Sequence, residues 1–197
     1  MKHRDKLVRV CNPMQRGYSY YHDAMPGRSF DPRFTPALTP KEILQLGAFN
    51  GLYLNNAMRE YPDSWLKSAK LSKVADPSIN LFKVASGQSL EEWQRNGWIN
   101  PQDPRGWFEW YCRYHQGRRT EDDDRQIKRW AAYARHSAQV RLNGAANPMK
   151  RVVQRQSLLH WAHDPFPDFT AYSFETVYQK IRRVMSYVKN ADKIYKA

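Results

Sequence analysis

Residues 97–130 read GWINPQDPRGWFEWYCRYHQGRRTEDDDRQIKRW. Asp103 can cap a helix that has Pro104 at its first position, and Trp107, Trp110, Tyr111 and Tyr114 then recur at helical spacing on one face. Phe108 and Cys112 lie beside that stripe, and Gly117 is placed to end the helix. Thr120 can cap a second helix, with Glu121, Asp122, Asp123 and Asp124 in its first turn, where carboxylates suit the positive end of the helix dipole. Its apolar line is Ile127, Trp130, Ala131, Ala134 and Ala138. Two successive helices, one with a wide aromatic face, predict a helical body.

The flanks agree. Thr39-Pro40-Lys41-Glu42 has the form of a capping box with proline at the first helical position, and Gly47 is its stop. Further helices are predicted over 49–60 and 63–71, separated by Tyr61-Pro62, with Leu52, Met58, Trp65, Leu66 and Leu71 facing inward. Residues 72–88 read as a loop in which only LFKVA is a strand candidate. Ser89 opens a short helix that Gly97 ends, Pro148 starts another, and Ser173 caps a last one in which Val177, Ile181, Val184, Val188 and Ala191 recur every three or four residues. Residues 1–38 are basic and broken by proline and glycine, which allows short extended pieces but no amphipathic helix. Tyr18, Tyr20, Tyr21, Phe30 and Phe34 give that arm apolar surface to lay over the body. The expectation is a mostly α protein: an irregular aromatic-rich N-terminal arm (1–38) and one compact helical domain (39–197).

A formal charge of +13 with 14% aromatic residues points to a polyanionic partner, nucleic acid rather than a membrane surface. No apolar run approaches the roughly 20 residues that span a bilayer, and the N-terminus lacks the apolar region of a secretory signal. Cys11 and Cys112 form no CxxC pattern, so neither a disulfide framework nor a cysteine-rich zinc site is indicated. There is no GxxxxGK[ST] loop, no GxGxxG after a strand, and no HxE with CxxC, which argues against a P-loop enzyme, a Rossmann enzyme and a zinc deaminase.

The positive signal is arginine interleaved with aromatic rings. Guanidinium groups recognise phosphate with a planar fork, and a flat ring can receive an unstacked base. Arg113, Arg118, Arg119, Arg125, Arg129 and Arg155 are candidates for phosphate or diphosphate, and Trp107 and Tyr111 for base stacking. The same residues have a plainer reading: the Trp107–Tyr114 stripe as core, and the arginines as ion-pair partners of the 121–124 acidic run. His160 and Asp164, one helical turn apart, could pair as base and orienting carboxylate, or simply close a helix. Cys112 could act as a nucleophile only if Arg113 and His115 favour its thiolate. Asp122, Asp123 and Asp124 could hold a magnesium ion, or only start a helix.

The pattern GWIxPxDPRGWFxWYCRYxxGRRxxxDxRQIxRW at 97–130, RQxLLxWA at Arg155–Ala162, FDPxFxPxLTPxE at Phe30–Glu42 and LGxFxGxY at Leu46–Tyr53 resembles a mainly uncharacterised family of bacterial and phage proteins. The likeness spans most of residues 17–164. The chain is similar to the amino-acid:DNA transferases of phage thymine hypermodification, the α-glutamyl/putrescinyl thymine pyrophosphorylases. The resemblance implies a transferase in the cytoplasm of the bacterial host cell. In it an amine or amino-acid donor displaces diphosphate from a pyrophosphorylated 5-hydroxymethyluracil in DNA, with no cofactor beyond, at most, magnesium. The competing readings are a non-enzymatic DNA- or RNA-binding protein and, less well supported, a nuclease or glycosylase. A pocket joining Arg118, Arg119, Trp107 and His160 would favour the enzyme. A basic face over buried tryptophans would favour the binder.

Overall fold

The computed structural model describes residues 6–54, 60–170 and 176–194, and it is mostly α. The N-terminal segment opens with an antiparallel ladder of β1 (Leu7–Arg9) and β2 (Ser19–Tyr21), in register Leu7 to Tyr21 and Val8 to Tyr20. The helices follow: α1 (Pro40–Leu46), α2 (Asp63–Leu66), α3 (Leu90–Arg95), α4 (Trp107–Gln116), α5 (Asp123–Tyr133), α6 (Arg135–Asn143), α7 (Val152–His160) and α8 (Val177–Ile194).

Several ends fall where local chemistry puts them. Thr39 and Glu42 form the reciprocal capping box of α1, Ser89 Oγ accepts from Glu92 N–H at α3, and Gly117, at φ 108°, stops α4 in the left-handed conformation that favours glycine. Others differ. Asp103 does not cap α4, because its carboxylate lies in the interior against Arg113 and Arg118; α4 begins after Gly106 instead. Thr120 does not cap α5 either; the Asp123 carboxylate accepts from Thr120 N–H and Oγ1–H, and the helix starts there. The predicted 49–60 helix is replaced over 49–51 by a 3₁₀ turn with left-handed φ at Phe49 and Asn50. Met58 and the cap expected at Ser173 lie outside the described residues. LFKVA forms no strand, and α7 starts at Val152 rather than at Pro148.

Nine of the ten residues of α4 are buried, so this helix runs through the centre of the molecule. Phe34, from the N-terminal segment, is the hub of its aromatic face. Its ring lies 5.3 Å from Tyr111, 5.4 Å from Trp110, 5.5 Å from Tyr114 and 5.0 Å from Trp130, all near edge-on, the arrangement that the ring quadrupole favours. Ile127 and Trp130 of α5, Leu159 of α7, and Ile181 and Val184 of α8 close the same core, whereas Ala131, Ala134 and Ala138 face solvent.

The opposite side of α4 is a buried charge network. Arg113 meets Glu60 at 2.6 Å, Asp103 at 3.1 Å and Glu109 at 3.4 Å; Arg118 meets Asp103 at 2.6 Å, and Arg105 meets Glu109 at 3.1 Å. Three cations against three carboxylates make the network neutral, which offsets a desolvation cost that any one of these ions would otherwise carry alone. Burial pulls the Arg113 pKa down, but Tyr61, Glu60 and Glu109 outweigh it and the net direction is upward. The rings of Tyr18 and Tyr20 lie 5.3 and 5.7 Å from the Arg113 guanidinium, which docks the β1–β2 hairpin on the network.

Candidate nucleic-acid interface

The side chains named from sequence lie in several different environments. Arg113, Arg118 and Arg155 are interior cations. The first two belong to the network around Asp103. Arg155 is fully buried and donates to the Lys150, Pro165 and Asn147 carbonyls as well as to Asp168. Arg119 is half-buried; its guanidinium stacks 3.8 Å from the Tyr114 ring and donates to the carbonyls of Tyr114, Arg118, Arg28 and Ser29. These guanidinium groups are engaged from within the chain, although the buried Arg118 Nε–H finds no hydrogen-bond acceptor among the described residues.

Trp107 and Tyr111 are also interior. Trp107 Nε1–H donates to the Gln126 carbonyl and Tyr111 O–H to the Leu38 carbonyl, so each polar tip is satisfied where the ring is packed. Cys112 is fully buried. Burial first, and then Glu109 and Glu60, push its thiol pKa up further than Arg113 pulls it down, which opposes a thiolate nucleophile.

The spacing of His160 and Asp164 predicts one helical face, but α7 ends at His160 and Ala162 turns left-handed at φ 57°, so the four-residue register is lost. His160 Nε2 accepts from Phe49 N–H at 3.1 Å and lies 3.0 Å from Gln156 Nε2, while its ring stacks on Phe49 at 4.2 Å. Burial pushes its pKa down to about 3. Asp164 instead accepts from Phe166 N–H and pairs with Lys180 at 2.8 Å. The three carboxylates of the acidic run also diverge: Asp122 meets Arg125, Asp123 meets Trp110 Nε1, and Asp124 meets Arg33 and Lys128. Among the described residues no three acidic, histidine or cysteine side chains gather as a metal site.

Arg125 and Arg129 reach the surface. Arg125 is 44% exposed beside Asp122. Arg129 lies between two indoles, 4.9 Å from Trp93 and 5.7 Å from Trp161, and donates to the Trp98 carbonyl. They open a charged tract that the sequence reading passed over. From Arg125 to His163 there are eight lysines and arginines and no aspartate or glutamate. Counting acids alone would have found it.

Within that tract Arg135 and Arg141 on α6, and Lys150 and Arg151 on the following turn, are exposed, and no carboxylate pairs with them among the described residues. The turn is held rigidly from beneath. Arg155 takes the Asn147 and Lys150 carbonyls, and Asp168 accepts from Ala146 N–H at 3.1 Å. Arg155 thus positions two free cations instead of offering its own charge.

Among the described residues no helix is long and apolar enough to cross a membrane. Compared with family models, with curated proteins and with solved structures, the chain finds no match.

Proposed function

We propose that the chain binds nucleic acid, holding the phosphate backbone on α6 and the 144–151 turn. The observation that carries this reading is the set Arg135, Arg141, Lys150 and Arg151: exposed, without a carboxylate partner among the described residues, and set in a tract without a carboxylate. Cations whose charge is not already taken by an internal partner are the ones free to release counterions from a polyanion. The net charge of +13 supplies long-range attraction of the same sign.

This reading is preferred to the DNA transferase that the resemblance implies. A transferase needs a general base beside a reachable diphosphate clamp. His160 lies in the core away from Asp164, and Arg113 and Arg118 are engaged with carboxylates.

The test is anisotropy titration of labelled DNA across a salt series. Alanine at Arg135, Arg141, Lys150 and Arg151 together should weaken binding and flatten the slope of log K against log salt by about 3. An unchanged slope would displace the interface. Nucleoside mass spectrometry of DNA carrying pyrophosphorylated 5-hydroxymethyluracil, incubated with amines and amino acids, separates the readings, since a new adduct would establish the transferase.

A further inference from the structure

Beside the basic tract a ladder of rings leads out of the core. Trp107, buried, stacks on Trp161 at 4.8 Å; Trp161 stacks on Tyr133 at 4.6 Å, 10° from parallel; and Tyr133 lies 4.4 Å from His136, in the first turn of α6 next to Arg135. A second branch leaves Trp161 through Trp93 at 6.1 Å to Trp98 at 5.7 Å, with the Arg129 guanidinium over Trp93 and Trp161. Trp161, Tyr133, His136 and Trp93 are all partly exposed, and Trp98 is 40% exposed.

Large rings left at the surface need a reason. Arg129 lies against Trp93 and Trp161, and Arg135 is next to His136, so the rings sit among cations of the tract without acids. Rings interleaved with cations match a strand that presents bases and phosphates together. Duplex DNA offers the phosphates but hides the faces of its bases.

Resting on the nucleic-acid reading above, we infer that the exposed end of this ladder, Trp98, is a stacking site for an unpaired base, the inner rings being stacked on one another and holding it in place, so the preferred ligand is single-stranded nucleic acid. The phosphates of that strand run toward α6, where Arg135 and Arg141 receive them.

The experiment compares an oligothymidylate single strand with a mixed-sequence duplex, for the wild-type chain, Trp98→Ala, Trp98→Phe, and the four-alanine cation variant, with thermal midpoints recorded for all. Wild type should bind the single strand more tightly. Trp98→Ala should weaken single-strand binding about tenfold and leave duplex binding unchanged, while Trp98→Phe should retain most of the affinity, since stacking needs a ring and not an indole. If Trp98→Ala leaves single-strand affinity intact, or weakens both ligands equally, the stacking site is overturned. Loss of binding in the cation variant under that result would leave the nucleic-acid reading standing. A wild-type chain that binds neither ligand overturns both.

Discussion

Arg155 and Asp168 meet through two parallel bonds of 2.7 Å, Nη1–H to Oδ1 and Nη2–H to Oδ2, with both side chains almost wholly out of water. The fork–fork geometry is the strongest form of this pair, and removing one partner strands the other's charge. Arg155→Ala should therefore destabilise the protein by about 3–5 kcal/mol in chemical denaturation. Gly144 belongs to the same unit. Its φ of −76° suits any residue, but a Cβ there would lie 2.3 Å from Asp168 Oδ2 and 2.7 Å from Arg155 Nη2. Gly144→Ala should lower stability by about 1–3 kcal/mol through overpacking alone. A melting curve unchanged in both variants would mean that the turn is not held this way.

The pair also marks what could be read from sequence. Thr39-Pro40-Lys41-Glu42, Gly117 and the Trp107–Tyr114 stripe were legible because each depends on neighbours within one or two turns. The roles of the arginines were not. Whether a guanidinium meets phosphate or carboxylate depends on residues far along the chain, as Glu60 lies 53 positions from Arg113. Helix spacing also misled at Asp164, where one left-handed residue, Ala162, cancels the face that spacing alone predicts.

Arg118 and Arg119 are adjacent in sequence and unlike in environment. Arg118 lies 2.6 Å from Asp103 in the interior, whereas Arg119 donates only to carbonyls at a half-exposed position. Arg118→Ala should cost about 3 kcal/mol, because Asp103 loses one of its two cations in a dry environment. Arg119→Ala should cost about 1 kcal/mol, the scale of a few partly exposed hydrogen bonds and one cation–π contact. Equal costs in urea titrations would contradict the buried network.

The two thiols should respond differently to a thiol reagent. Cys11 is exposed and Cys112 is buried with its pKa pushed up by desolvation. One equivalent should react promptly in native buffer and the second only in denaturant. Two fast equivalents would mean that α4 is not the central helix.

His160 ties stability to pH. Burial lowers its pKa from 6.5 to about 3, and His115 is shifted the same way, to about 4, by burial and then Arg119. As pH falls below 6.5, the unfolded chain takes up protons that the native state refuses, so the stabilisation is complete above that value and is lost progressively toward pH 3. Glu109, whose carboxyl burial pushes upward, works in the other direction and must be subtracted. His160→Gln does so. Glutamine keeps an acceptor for Phe49 N–H but has nothing to titrate, so every other group is common to the two proteins. Between about pH 6 and 4 the wild type should lose stability more steeply than the variant by about 1 kcal/mol per pH unit. Parallel profiles would place His160 in contact with water and reopen it as a general base.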